Sequence, residues 1–565
     1  KKTAMTFPKD NPGRKTLVQA ARGIVPADIL FTDAEIFNPF TCTWEENSIA
    51  VRSGIVTGIG SCRAKKEVNL KNRRVVPGLI DAHVHIESSL LTPPEFARLV
   101  ASHGTTTIIA DPHEIANVCG ADGIRFMLSF RGLLPLDLFI MLPSCVPATP
   151  RDTGGAVLRA GDLAPFAGED GVLGLGEMMD VAGVLNGDPD VFRKLDLFSL
   201  VDGHAPLLSG KDLDAYIIAG IQSDHESTGA EEARQKLGRG MYLFIREGSA
   251  ERNIAAISPV ITRWNCPRCA FATDDRHVDM LVDEGHIDDC IRKAVSGGVE
   301  LEAALRMATL TPAERFRLDD RGALVPGRVA DFCLLEKGRI FSVEKMFRRG
   351  MIPDLASPIP CIPVPGRFGC SAPQPDDISL QGSGTAKVIG LVPGQIITER
   401  LDLPVRADTV PDIRQDILKA VVCNRYKAGR IGTALVHGFL LSRGAIAGSV
   451  SHDSHHVVAA GVEDLDICRA IALVIRSGGG LAVVSGDEES VLPLPCAGLM
   501  SIEPYEAVYD SLAELNDHVE RLGGIENAFM YLSFLALSVL PRLRITDRGL
   551  FDSEISQDIP VFAGR

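Results

Sequence analysis

From Pro77 onward, short apolar runs alternate with longer stretches of helical periodicity. Repeated β-α units leave this pattern when each strand is buried on both faces of a parallel sheet. The runs that qualify as strands are Gly78–Ile86, Thr105–Asp111, Leu138–Pro143, Val172–Met178, Leu200–His204, Ala219–His225, Met241–Glu247 and Cys269–Asp274. Eight such runs over roughly 200 residues predict an α/β fold of the (β/α)8 TIM-barrel type, placed at residues 77–321.

Ahead of the barrel, Asp28-Ile-Leu-Phe-Thr and the run Ile49–Gly60 are broken by Gly and Asn-Pro and predict a small β segment within residues 1–76. The strand-like run that begins at Gly322 and includes Val329-Ala-Asp-Phe-Cys-Leu-Leu is expected to return and pair with it over 322–350, making that β domain discontinuous. Residues 351–385 carry Pro353, Pro358, Pro360, Pro363, Pro365, Pro373 and Pro375 and predict a surface connector. A C-terminal α/β domain is expected over 386–565, with strands at Thr433–Leu441 and Leu481–Val484 and helices at Asp412–Val422 and Ser511–Leu522. No internal repeat interrupts this order.

With 45% hydrophobic and 23% charged residues in a chain of 565, a folded globular protein is expected. The net charge of −15 removes the electrostatic drive toward nucleic acid or an anionic membrane, so neither is expected as a partner. The longest apolar stretch, Tyr531–Leu540, is too short to span a bilayer and predicts core. Thirteen scattered cysteines argue for reduced thiols and a cytoplasmic protein. The run Lys1–Arg14 is basic but is followed by no apolar stretch, so no secretory signal is expected.

His83 and His85 end the first barrel strand at i and i+2, and alternation along a strand points both imidazoles to one side. Active sites of such barrels lie at the C-terminal ends of the strands. Glu177, His204, His225 and Asp274 end later strands in the same way. Four imidazoles and two carboxylates at successive strand ends could hold two divalent ions, one carboxylate bridging them and a hydroxide lying between.

The run Val76-Pro-Gly-Leu-Ile-Asp-Ala-His-Val-His resembles the first-strand motif of the metal-dependent amidohydrolase superfamily. Asp111-Pro-His-Glu-Ile-Ala-Asn, Gly176-Glu-Met-Met-Asp, Asp202-Gly-His-Ala-Pro, Ile245-Arg-Glu-Gly-Ser-Ala, Thr273-Asp-Asp-Arg and Gly448-Ser-Val-Ser-His-Asp-Ser-His-His resemble, in order, the bacterial-type adenine deaminase family within it. The resemblance implies hydrolysis of adenine to hypoxanthine and ammonia in purine salvage, at a centre of two divalent ions, with Mn or Fe favoured and Zn an option. It also implies a homodimer. His83, His85 and Asp274 would hold one ion, His204 and His225 the other, and Glu177 would bridge; with no Lys at that strand end, a carboxylated Lys bridge is not expected.

Attack on C6 of adenine requires proton traffic to the ring and to the leaving amine. Asp274 is the expected shuttle and Glu87 the expected contact to the ring. Asp111, His113 and Glu114 could hold a further ion, line the pocket or brace a loop; His452, Asp453 and His455 could cover the barrel mouth, contact the substrate or form a solvated turn; Arg246 and Glu247 could add to the pocket or make a structural ion pair, and Asp275 could add to the pocket. Cys266-Pro-Arg-Cys269 has no second pair or nearby His and predicts ordinary thiols. The Pro-Cys-x-x-Cys half of the cytidine-deaminase signature is absent, as is a Walker A loop. Two other readings remain open at this point: an amidohydrolase that cleaves a cyclic amide or N-acyl group, and a barrel that has lost catalysis and serves as a scaffold.

Overall fold

The structure is a computed structural model that describes residues 13–149, 151–406 and 410–562. Most of the basic N-terminal run considered for a signal, residues 1–12, lies outside the described residues. A first sheet is built from β1 (Ala27–Asn38), β2 (Thr43–Arg52), β3 (Ile55–Ile59) and β4 (Ala64–Pro77).

The chain then enters the barrel strands β5 (Leu79–Val84), β6 (Thr105–Ala110), β7 (Asp137–Leu142), β8 (Val172–Met178), β9 (Val201–Gly203), β10 (Ser223–Asp224), β11 (Tyr242–Arg246) and β12 (Cys269–Ala272). Strands β5 to β9 are consecutive parallel neighbours, as are β10 to β12. The two seams are closed by hydrogen bonds. Gln222 N–H donates to Val201 O at 3.1 Å, while Asp274 N–H donates to His83 O at 3.1 Å and His85 N–H to Asp274 O at 3.2 Å. The runs LIDAHV of β5, TTTIIA of β6 and CAFA of β12 are buried throughout, which is why their apolar and small residues fall on both faces rather than alternating with exposed polar ones.

Strand β10 is much shorter than the expected Ala219–His225. The preceding helix runs through Ile218 and closes on Gly220 at φ 104°, a left-handed conformation that suits glycine. Residues 219 and 220 are therefore spent on the turn. The helix Pro189–Leu195 shows how local chemistry starts these connections: Asp188 accepts the N–H groups of Asp190 at 2.8 Å and Val191 at 3.1 Å, and Pro189 takes the first turn, where no donor is needed.

After the barrel, β13 (Phe332–Leu335) pairs antiparallel with β4, Cys333 opposite Val76, and with β14 (Val343–Phe347), so one sheet of order β14-β13-β4-β1-β2-β3 joins both sides of the barrel in sequence. An eight-stranded sheet follows: β15 (Ser383–Leu391), β16 (Thr398–Arg406), β17 (Leu418–Cys423), β18 (Ile431–His437), β19 (Ala445–Gly448), β20 (Val457–Gly461), β21 (Gly480–Ser485) and β22 (Glu488–Pro493), in order β16-β15-β18-β17-β20-β19-β21-β22.

The helix expected over Asp412–Val422 is not formed. Asp412 caps a single tight turn by accepting from Arg414 N–H at 3.1 Å, and the apolar run from Leu418 enters the sheet centre as β17. Its residues are buried on both faces, and short apolar runs of this kind look alike as helix or strand. The helix over Ser511–Leu522 does form, as Tyr505–Arg521.

The C-terminal sheet and the barrel share one apolar core, in which Ile86, Leu90 and Phe96 belong to the same cluster as Leu499, Met500 and Leu515. The joint is also hydrogen-bonded, with Ser501 N–H on Leu90 O at 2.7 Å and Tyr505 N–H on Glu95 Oε2 at 3.0 Å. Among the described residues no helix is long and apolar enough to cross a membrane.

Candidate active site

The C-terminal ends of the barrel strands bring His83, His85, Glu177, His204, His225 and Asp274 into one buried cluster. The carboxylate of Glu177 lies at its middle. Oε1 lies 3.1 Å from His85 Nε2 and 3.2 Å from His113 Nδ1, while Oε2 lies 2.8 Å from His204 Nδ1 and 3.2 Å from His225 Nε2. Asp274 Oδ1 is 3.2 Å from Nε2 of both His83 and His85, and those two ring nitrogens face each other at 3.1 Å. Burial alone would raise the Glu177 carboxyl, but His225, His204 and His85 hold it well below the usual range. Burial also opposes charge on His85, yet Asp274 and Glu177 keep its imidazole well above the ordinary value.

This donor set fits divalent ions. His85 Nδ1–H donates to Asp111 O at 2.9 Å, which leaves the Nε2 lone pair aimed at the cluster. The groups His83/His85/Glu177, His83/His225/Asp274 and Glu177/His204/His225 each converge closely enough to share an ion. Buried Glu177 Oε1 has no hydrogen-bond partner, as expected of an atom meant for a cation. Imidazole and carboxylate together suit Mn, Fe or Zn.

Gly176 sets the position of Glu177. A methyl on its Cα would come within 1.9 Å of Asp111 Oδ2, the oxygen that accepts Glu177 N–H at 3.0 Å. Gly176→Ala is expected to displace Asp111 and weaken uptake of a divalent ion by about 10–100-fold, the usual effect of losing an outer support. An unaltered Mn²⁺ titration of this variant would count against that arrangement.

The remaining expected residues divide. Glu87 is buried; Oε1 accepts Ile115 N–H at 3.0 Å, Oε2 has no partner, and burial, with Glu114 nearby, pushes its carboxyl up to about 7. Asp275 accepts the Ser88 hydroxyl and lies 4.0 Å from His452 Nε2. Asp111, His113 and Glu177 form a further convergent group. From the C-terminal sheet, the loop after β19 reaches into the barrel, where His452 Nδ1 and His455 Nε2 both contact Glu114 and Asp453 Oδ1 lies 3.5 Å from His113 Nε2. This loop is thus buried against the site, with His452 stacked on Phe534 at 4.6 Å.

Glu247 does not join them. Its neighbour Arg246 takes the inward position on β11, so Glu247 faces the other side, where it accepts Ile254 N–H at 3.2 Å and pairs with Lys293 at 3.1 Å. Cys266 and Cys269 are free buried thiols, and burial pushes Cys266 up to about 11 and Cys269 well above the usual thiol range.

Several groups at the site were not singled out from the sequence. Glu226, adjacent to His225, lies 3.5 Å from His204 Nδ1 and 3.6 Å from His225 Nε2, and forms a two-point pair with Arg246. Arg246, already expected from the sequence at the pocket or in an ion pair, also reaches Asp274 Oδ2 through Nη1 at 2.8 Å. Glu251 is buried beside Arg246, with both side-chain oxygens unpartnered and burial raising its carboxyl well above the usual range. Asp81 accepts the Thr273 hydroxyl at 2.5 Å and lies 3.0 Å from His286 Nε2, behind His83 and Asp274. A carboxylate next to a motif His is the one signal that could have flagged Glu226; the others depend on long-range contacts.

The amidohydrolase family model matches residues 74–356 and the model of the adenine deaminase C-terminal domain matches residues 395–557. An adenine deaminase of Methanoregula boonei is 57% identical over 98% of this chain and 99% of its own length. One of Methanoculleus marisnigri is 60% identical over 91% of this chain and 99% of its own, and an adenine deaminase 2 of Carboxydothermus hydrogenoformans is 44% identical over 97% and 99%. With the strand-end cluster intact and similarity extending through both the barrel and the C-terminal sheet, the chain belongs to the adenine deaminase family of amidohydrolases.

Proposed function

We propose that the protein hydrolyses free adenine to hypoxanthine and ammonia, using two divalent ions held by His83, His85 and Asp274 and by His204 and His225, with Glu177 shared between them. The observation that carries this reading is the division of the Glu177 carboxylate, one oxygen toward His85 and the other toward His204 and His225. When bound, such ions supply a hydroxide nucleophile near neutral pH and stabilise the charge that develops on attack.

The chain's own groups move the protons. Asp274 accepts the remaining proton of the attacking hydroxide and passes it to the departing amine, while Arg246 holds its second oxygen. Glu87, whose free oxygen is buried two residues beyond His85, hydrogen-bonds the ring and gives it a proton at N1. Asp275 borders the purine space, and Glu114, braced by His452 and His455, closes it from the C-terminal side. The group Asp111, His113 and Glu177 offers room for a further cation beside the main pair.

Mn or Fe are the favoured ions. Thirteen free thiols support work in the reducing cytoplasm, in purine salvage, and the homodimer common in the family is carried over with this reading.

The test is ammonia release from adenine by Mn-loaded, Fe-loaded and chelator-stripped protein, with adenosine and cytosine alongside. Release from adenine alone, lost on stripping and restored by metal, is expected. No release in any form shown to hold metal would point to a different amidohydrolase substrate.

A further inference from the structure

The helix Ala230–Gly238 carries Lys236, whose side chain is fully buried. Its ammonium has three donors and spends all of them at the bottom of the site: on Ala205 O at 2.7 Å, Asp224 Oδ2 at 2.8 Å and Glu232 Oε1 at 2.7 Å. Ala205 directly follows His204, and Asp224 directly precedes His225. The two segments are also tied to each other, because Asp224 Oδ1 accepts Ala205 N–H at 3.0 Å. Glu232 extends the tie outward by accepting Leu207 N–H at 2.8 Å and Thr228 N–H at 3.2 Å, one from the loop after each strand.

The seam between β9 and β10 needs such a tie, since β10 is only two residues long and ladder hydrogen bonds do little to hold it there. Burial opposes charge on Lys236, but Asp224 and Glu232 outweigh it and keep the ammonium charged. The opposite half of the cluster has a separate support: Asp81 receives Thr273 and His286, and among the described residues no hydrogen bond or ion pair joins that group to Lys236.

We infer that Lys236 is a positioning residue that sets the spacing of His204 and His225, so that the ion they hold with Glu177 is stabilised independently of the ion held by His83, His85 and Asp274. This rests on the two-ion reading above. A lysine is suited to the task because its three donors can face three acceptors from different segments at once, and a neutral replacement would leave buried Asp224 and half-buried Glu232 without a counter-charge.

The experiment is a Mn²⁺ titration by equilibrium dialysis on full-length wild type, Lys236→Met, and Lys236→Met combined with His225→Ala or with His83→Ala. Wild type is expected to take up two ions. Lys236→Met should keep one at wild-type affinity and bind the other about 10–100-fold more weakly, as for loss of an outer support. Adding Lys236→Met to His225→Ala should change nothing further, whereas adding it to His83→Ala should weaken what remains.

Equal weakening of both ions, or no weakening, overturns the inference alone; a wild type that takes up a single ion overturns the two-ion reading and the inference with it. Should Lys236→Met fail to fold, Glu232→Gln, at the rim of the same contact, is expected to weaken the same ion by a smaller factor, and an unchanged titration there overturns the inference.

Discussion

Asp274→Asn is expected to lower kcat for adenine by about 10²–10⁴-fold, the usual worth of a positioned acid-base group. The substitution suits the question because Asp274 sits at φ 55°, a left-handed conformation that Asn also adopts readily, so the backbone need not move. What changes is the side chain's chemistry. The carboxylate meets His83 and His85 through one oxygen and Arg246 through the other. An amide cannot offer an oxygen to both sides, and it neither takes a proton from hydroxide nor passes one to an amine. With Mn²⁺ supplied in excess and uptake confirmed by metal analysis, ammonia release should collapse while KM stays within a few-fold. Near-normal turnover with ions bound would remove Asp274 from the proton path.

Glu177→Gln should abolish turnover more completely, down to the level of the chelator-treated protein. Both oxygens of Glu177 are used, and on opposite sides. The amide must turn its NH₂ toward one group of imidazoles, where it can no longer act as a ligand. Ion uptake is therefore expected to fall from two to one or fewer, read by metal analysis after dialysis. Retention of two ions together with turnover would show that Glu177 does not bridge. A protein that keeps two ions but loses turnover would instead assign Glu177 a chemical task beyond binding.

Much of this was legible in the chain itself. A strand buried on both faces is rich in apolar and small residues and free of exposed charge, so most of the barrel strands stand out as separate runs, and a polar or charged residue closing such a run stands out against it. That is why His83, His85, Glu177, His204, His225 and Asp274 could be named before any coordinates, and why their meeting in one cluster follows from a closed barrel.

Where local signals were weak the reading slipped. Asp412–Val422 has the length and apolar content of a short helix, and only its place between β18 and β20 makes it a strand. For Glu247 the motif left pocket and ion pair equally open, and its pairing with Lys293 depends on the side to which the end of β11 turns it within the barrel.

Tertiary structure alone decided the supports. Lys236 lies on a helix surface pattern that is otherwise unremarkable in sequence, and its role depends on two loops that approach it in space. Glu114 and His455 are 341 residues apart, and no periodicity relates them. Burial periodicity is a local property written into each segment, so the chain by itself determined most of the strands and the polar residues that close them. Contacts among buried charged groups from distant segments become determined only when the chain has closed, because each such group is tolerated in the interior solely by the partner that folding brings to it.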